Sequence, residues 1–172
     1  MNTLDRLGIM AEITRRKKGR TGQLGKTSLL KLLYLLQEIH RVPLGYRFTL
    51  YTYGPYDAAV MSDIDFADLH GVIRVSYQQE GGYKIEEGPD SGRVSPPSEL
   101  NEAIAQLVDR FGNMTARELE LRSTIIFVAK EARLIQKSVK EIVADVKPKY
   151  SAAEIDAAIR ELQAMGAIAV PG

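Results

Sequence analysis

GRTGQLGKT (19–27) has the glycine density and the closing Gly-Lys-Thr of a loop that wraps a phosphate. That chemistry needs a glycine, four residues and then Gly-Lys-Ser/Thr, set behind a buried strand so that backbone amides turn around the anion. Counting back from Gly25 puts Arg20 where the first glycine belongs, and RRKK stands in place of the strand. The motif fails.

The same stretch offers a different chemistry. Arg15, Arg16, Lys17, Lys18, Arg20 and Lys26 place six cations within residues 15–26, with no acid among them. Such a run neutralises phosphates in a salt-dependent, sequence-independent way, or it is simply a solvated loop. Taking those six from the 23 basic residues leaves 17 against 22 acids, a net of −5, so a basic loop sits on a mildly acidic body in a chain whose total charge is +1.

The acids gather in DAAVMSDIDFADLH (57–70), where Asp57, Asp63, Asp65 and Asp68 stand without a Lys or Arg. Carboxylates repel phosphate at close range. The same face suits a basic protein partner, which gains on-rate and specificity from charge complementarity; the alternative is a solvated face opposite Val60, Ile64 and Leu69. AAEIDAAIRELQAM (152–165) is also net acidic, with Glu154, Asp156 and Glu161 against Arg160. DNA contact would therefore fall to the 15–26 loop or to Lys137, Lys140, Lys147 and Lys149.

Tyrosines form the third group: Tyr46, Tyr51, Tyr53 and Tyr56. Strand alternation turns Phe48 and Leu50 inward and Tyr51 and Tyr53 outward. An apolar ring with a polar tip suits recognition; it also suits cross-strand packing over the core. Tyr51, Tyr53, Tyr56, Asp57 and Asp63 are the candidate partner-binding residues.

Catalytic chemistry finds little footing. No serine or threonine has a nucleophile's setting, and Asp63 and Asp65, two apart on a helix, face different ways. His40 and His70 both sit near expected helix ends, where an imidazolium meets the helix dipole favourably. The chain lacks cysteine and has only those two histidines, which excludes disulfides and thiolate or histidine-rich metal centres. No catalytic residue, metal or cofactor is assigned, and the chain is read as a non-enzyme.

These residues need elements to position them. Leu4, Leu7, Ile9, Met10 and Ile13 predict a helix over 3–15, and the leucines from Leu29 to Leu36 with Ile39 a central helix over 26–40. YRFTLYTY (46–53) reads as a strand and Gly54–Pro55 as a turn. Asp57 caps a helix over 58–70. VIRVSYQ (72–78) and YKIEE (83–87) form a hairpin through Gly81–Gly82. GPDSGRVSPPS (88–98) is linker-like. Helices follow over 99–112, 115–132 and 136–146, and Pro148 breaks the chain before a Ser151/Glu154 capping box opens a last helix ending before Gly166. AIAV (167–170) is a candidate short strand.

The expected fold is mainly α (α+β), with winged-helix-like units, helix-rich with small β-hairpins. Residues 1–88 form the N-terminal unit, 89–98 the linker, and 99–172 a helix-turn-helix-like unit packed on the first. The longest apolar run is interrupted by Lys31, and the N-terminus lacks a signal peptide's apolar core. A soluble cytoplasmic protein without membrane partners is expected.

KLLYLLQ (31–37), LGYRFTLYTYGPY (44–56) and the acidic helix ending at Leu69-His70-Gly71, with ELRSTIIFVAKE (120–131) and KPKYSAAEIDAAIREL (147–162), resemble the YwgA-like proteins of bacteria and archaea. These in turn resemble, more distantly, the Panacea or SocA-like antitoxin and adaptor domains. The resemblance covers most of the chain. It implies a fold related to winged helices, a regulatory or toxin-neutralising association, and no catalytic residues. The leading expectation is a regulatory protein, antitoxin- or adaptor-like, that binds a protein partner; the alternative is a winged-helix-type nucleic-acid binder using its basic loop.

Overall fold

The computed structural model describes residues 1–131 and 138–169. Seven α-helices and two antiparallel two-stranded sheets occur among them, a mainly α fold with small hairpins. The order is α1 (Thr3–Lys17), α2 (Lys26–Ile39), β1 (Thr49–Tyr51), β2 (Gly54–Tyr56), α3 (Ala58–Leu69), β3 (Ile73–Gln78), β4 (Gly82–Glu87), α4 (Asn101–Phe111), α5 (Ala116–Glu131), α6 (Val139–Val146) and α7 (Ala152–Ala164).

α2 is the axis of the molecule. Every residue from Ser28 to Leu36 is buried, so the helix is enclosed on all sides, as a helix apolar around its circumference must be. It packs against α3, α4 and α5 and against strands from both hairpins. One hydrophobic cluster runs from Leu7 on α1 to Ile168 beyond α7. The two sequence halves share a core.

Local chemistry explains the boundaries. Asn2 with Asp5, Ser138 with Glu141, and Ser151 with Glu154 form reciprocal capping boxes at α1, α6 and α7. Asp57 caps α3 by accepting from the Ala59 amide at 2.8 Å. The part of the expected 136–146 helix before residue 138 lies outside the described residues, as does Val170. Residues 167–169 form no strand.

The first hairpin departs from expectation. Only Thr49–Tyr51 of the 46–53 segment is strand, and Gly54-Pro55-Tyr56 is its partner strand, with Leu50 opposite Pro55. The turn is Thr52–Tyr53 instead of Gly54–Pro55. A two-stranded ribbon is all edge, so a proline is tolerated in it. Gly54 takes φ +82°, and a Cβ there would lie 2.9 Å from Thr124 Oγ1 on α5. The hairpin is thus seated closely on that helix.

The linker is also seated. It contains short 3₁₀ turns at Ser91–Arg93 and Ser98–Leu100, and its backbone at Ser95–Pro96 lies against Gly8 of α1 so closely that a Cβ would come within 2.7 Å of Pro96 N.

Candidate functional site

The basic loop is tied into the fold. Arg15 and Arg16 both pair with Glu12, the latter at 2.6 Å. Buried Lys17 donates to the carbonyls of Thr21 and Gly22 at 2.6 and 2.5 Å, and burial, followed by repulsion from Arg20, lowers its pKa. Arg20 pairs with Asp109, and Lys26 with Asp65 at 2.7 Å. Lys18 remains 82 % exposed, 3.9 Å from Glu87. The expected free cationic run is therefore largely neutralised by acids and carbonyls elsewhere in the chain. Beside it, a groove of about 560 Å³ runs between the loop and β4, flanked by Lys18, Arg74 and Lys84 with Glu86 and Glu87.

The acids of α3 are likewise committed. Asp57 caps its helix and also accepts from the Arg47 amide at 2.6 Å. Asp68 accepts from the Val75 amide at 2.8 Å, linking α3 to β3. Asp63, expected on a docking surface, is buried instead: its Oδ2 accepts from Arg6 Nε at 2.6 Å and from the Tyr46 hydroxyl at 2.7 Å. The hydrogen bond to Asp63, opposed in part by burial, raises the Arg6 pKa. Burial, then Asp63, pushes the Tyr46 phenol up. An uncompensated buried carboxylate is costly, so Asp63 recruits partners from α1 and from the segment after α2. It is withdrawn from any docking face.

The remaining three candidate residues come together. Tyr51, Tyr53 and Tyr56 wall a cleft of about 410 Å³, with Leu30, Lys31 and Met61 also lining it. Tyr51 and Tyr53 are 66 % and 65 % exposed, and the Tyr51 and Tyr56 rings lie 5.6 Å apart. Lys149 Nζ sits 5.5 Å from the Tyr53 ring centroid, within cation–π range. Lys26, on the rim, also lies 4.9 Å from the ring of Tyr83, which pairs edge-on with Tyr77 of the second hairpin.

Beneath the cleft is a cluster of buried charge. Lys31 is 2 % exposed and donates to the Pro55 carbonyl at 2.5 Å. Lys147, just after α6, donates to the Thr52 carbonyl and lies 3.0 Å from Glu120 Oε1. That oxygen has no aligned hydrogen bond, so the contact is chiefly electrostatic. Glu120 Oε2 accepts from Lys149 at 2.7 Å. Burial lowers the Lys31 pKa to about 8, with Glu120 acting against the shift and Lys147 reinforcing it. Two buried lysines thus grip the carbonyls of the tyrosine hairpin from below.

The sequence reading did not place this cluster in the site. Lys31 carried a signal, as the one cation interrupting a leucine run. Glu120 carried none, because it looks like an ordinary charge on an amphipathic helix, and Lys147 stood out only as one of the lysines offered for DNA contact. His40 also differs from expectation: burial, then Arg110, lowers its pKa, opposing the protonated state that a helix C-terminus favours.

Among the described residues, no group of three His, Asp or Glu side chains is placed to hold a metal ion, and no helix is long and apolar enough to cross a membrane. Comparison with protein-family models, with curated proteins and with solved structures returns no match.

Proposed function

We propose that the chain is a non-enzymatic regulatory protein, antitoxin- or adaptor-like and cytoplasmic, that binds a protein partner through the Tyr51–Tyr53–Tyr56 cleft. One observation carries the reading: exposed tyrosines wall an apolar cleft on a hairpin fixed from beneath by Lys31 and Lys147. Tyrosine buries a large ring while losing little rotamer freedom, and a pre-positioned ring loses less on binding. Asp57 and Asp63 act in this reading as supports for α3 and its neighbours. Affinity capture from the native cell, comparing the unaltered chain with a Tyr51→Ser/Tyr53→Ser variant, tests it. The variant is expected to lose a partner that the unaltered chain retains; retention of every partner refutes the cleft.

The second reading is polyanion binding in the groove beside the basic loop, favoured by exposed Lys18 and by Arg74, which has no ion pair among the described residues. It requires gel-shift binding to nucleic acid that weakens with salt and is lost when Lys18 and Arg74 become alanine.

A further inference from the structure

The charges beneath the tyrosine cleft do not balance. Lys31, Lys147 and Lys149 bring three ammonium groups to one carboxylate, Glu120. Two of the three cations are buried, where an excess of like charge is most costly. Lys31 has three N–H donors but one acceptor, the Pro55 carbonyl. On the cleft rim, α2 begins at Lys26 with no side-chain cap and no acid in its first turn, so its dipole adds positive potential at that end. The hydroxyls of Tyr51, Tyr53 and Tyr56 make no hydrogen bond within the described residues, leaving three phenols free to donate. Apolar walls and free donors meet Lys31 in the cleft lining, while Lys149 stands outside that lining against the Tyr53 ring.

We propose that this cleft takes an acidic peptide segment of the partner, seating an apolar side chain among Tyr51, Tyr53 and Tyr56 and a neighbouring carboxylate toward Lys31 and Lys149. The proposal rests on the reading of the cleft as the partner site and adds the chemistry of what enters it. A carboxylate matches the surplus in sign and offsets one of its two unbalanced charges. A chain of phosphates does not, because Asp65 at the Lys26 rim and Glu120 beneath the cleft would repel the further charges. The volume of about 410 Å³ suits one or two side chains and not a long ligand.

The test is an immobilised positional-scanning library of pentapeptides probed with the full chain, alongside a single-stranded oligothymidine. Peptides with Asp or Glu next to an aromatic or aliphatic residue are expected to be enriched, and replacing the acid by its amide should weaken binding about tenfold, as for a charge-assisted hydrogen bond. Ring signals of Tyr51, Tyr53 and Tyr56 in NMR spectra should shift on adding the best such peptide. Lys149→Gln, at a partly exposed side chain, should cost about tenfold in affinity without unfolding the chain, and Lys31→Met at least as much if folded. Equal binding of acid and amide peptides, no acidic enrichment, or ring shifts produced only by the oligonucleotide each overturn the proposal.

Native capture separates its failure from that of the underlying reading. Loss of the partner with Tyr51→Ser/Tyr53→Ser but full retention with Lys149→Gln leaves the cleft and removes the acidic segment. Retention with the tyrosine variant removes both.

Discussion

Lys147 Nζ lies 3.0 Å from Glu120 Oε1, with both side chains only 4 % exposed. This pair joins the end of α6 to the second turn of α5 beneath the first hairpin, and Lys147 extends the link to the Thr52 carbonyl. Removing one member of such a pair strands the other in a poorly solvating interior. Glu120→Gln is therefore expected to lower stability by about 3–5 kcal/mol, measured by urea unfolding. Lys149→Gln, which removes a partly exposed partner of the same carboxylate, should cost about 1 kcal/mol or less. Similar losses from both would contradict the buried pair as the main link.

Lys31 makes stability depend on alkaline pH with a definite sign. Its folded pKa is about 8, below the value of about 10.4 for an unfolded lysine. Between those values the unfolded chain holds a proton that the folded chain has released, so stability rises with pH. Glu120 and Lys147 are the charged groups acting on it. Lys17 is shifted the same way, whereas Tyr34, Tyr46 and Tyr150, all raised by burial, reduce stability as the unfolded phenols ionise. Comparison with Lys31→Met isolates the lysine. Relative to that variant, the unaltered chain should gain on the order of 1–3 kcal/mol from pH 8 to 10, read from denaturation midpoints.

Gly54 should tolerate no side chain. At φ +82°, with a Cβ 2.9 Å from Thr124 Oγ1, Gly54→Ala meets both backbone strain and a clash. A loss of about 1–3 kcal/mol is expected for the backbone alone, seen as a lower thermal midpoint. Adding Thr124→Ala should recover only part of the loss, because it removes the clash and leaves the strain.

A similar close approach holds the linker. Gly8→Ala would push a methyl group into the backbone at Ser95–Pro96, at a cost of about 1–3 kcal/mol. Limited trypsin digestion should then cut faster after Arg93, which lies between the displaced segment and β4. Unchanged cleavage would mean that the linker tracks α1 without strain.

The helices and second hairpin were legible because their signals are local. The leucines of α2, the Asp57 cap, the Ser151/Glu154 box and Gly81–Gly82 each act within a few residues. Gly54–Pro55 misled because the same dipeptide serves a turn or the edge of a ribbon, and docking on α5 decides between them. The tyrosines of the cleft were visible as a cluster; its buried floor was not. The partners of the charges were hidden for a related reason: Arg20 meets Asp109, and Asp63 meets Arg6, across long stretches of chain. A sequence displays its charges but not their long-range partners. Of the other proposed cationic region, Lys140 pairs with Asp156 and Lys147 and Lys149 with Glu120, while Lys137 lies outside the described residues.

The loop before α2 also closes the outer border of the second hairpin. Gln23 Nε2 donates to the carbonyls of Gly81 and Tyr83, each at 3.0 Å, and the Ile85 amide donates to the Leu24 carbonyl at 2.7 Å. The Tyr83 carbonyl and the Ile85 amide are outward main-chain groups of β4 through which a foreign strand would add itself to the ribbon. With them occupied, a second copy of the chain cannot add a strand to β4 at the stretch from Tyr83 to Ile85.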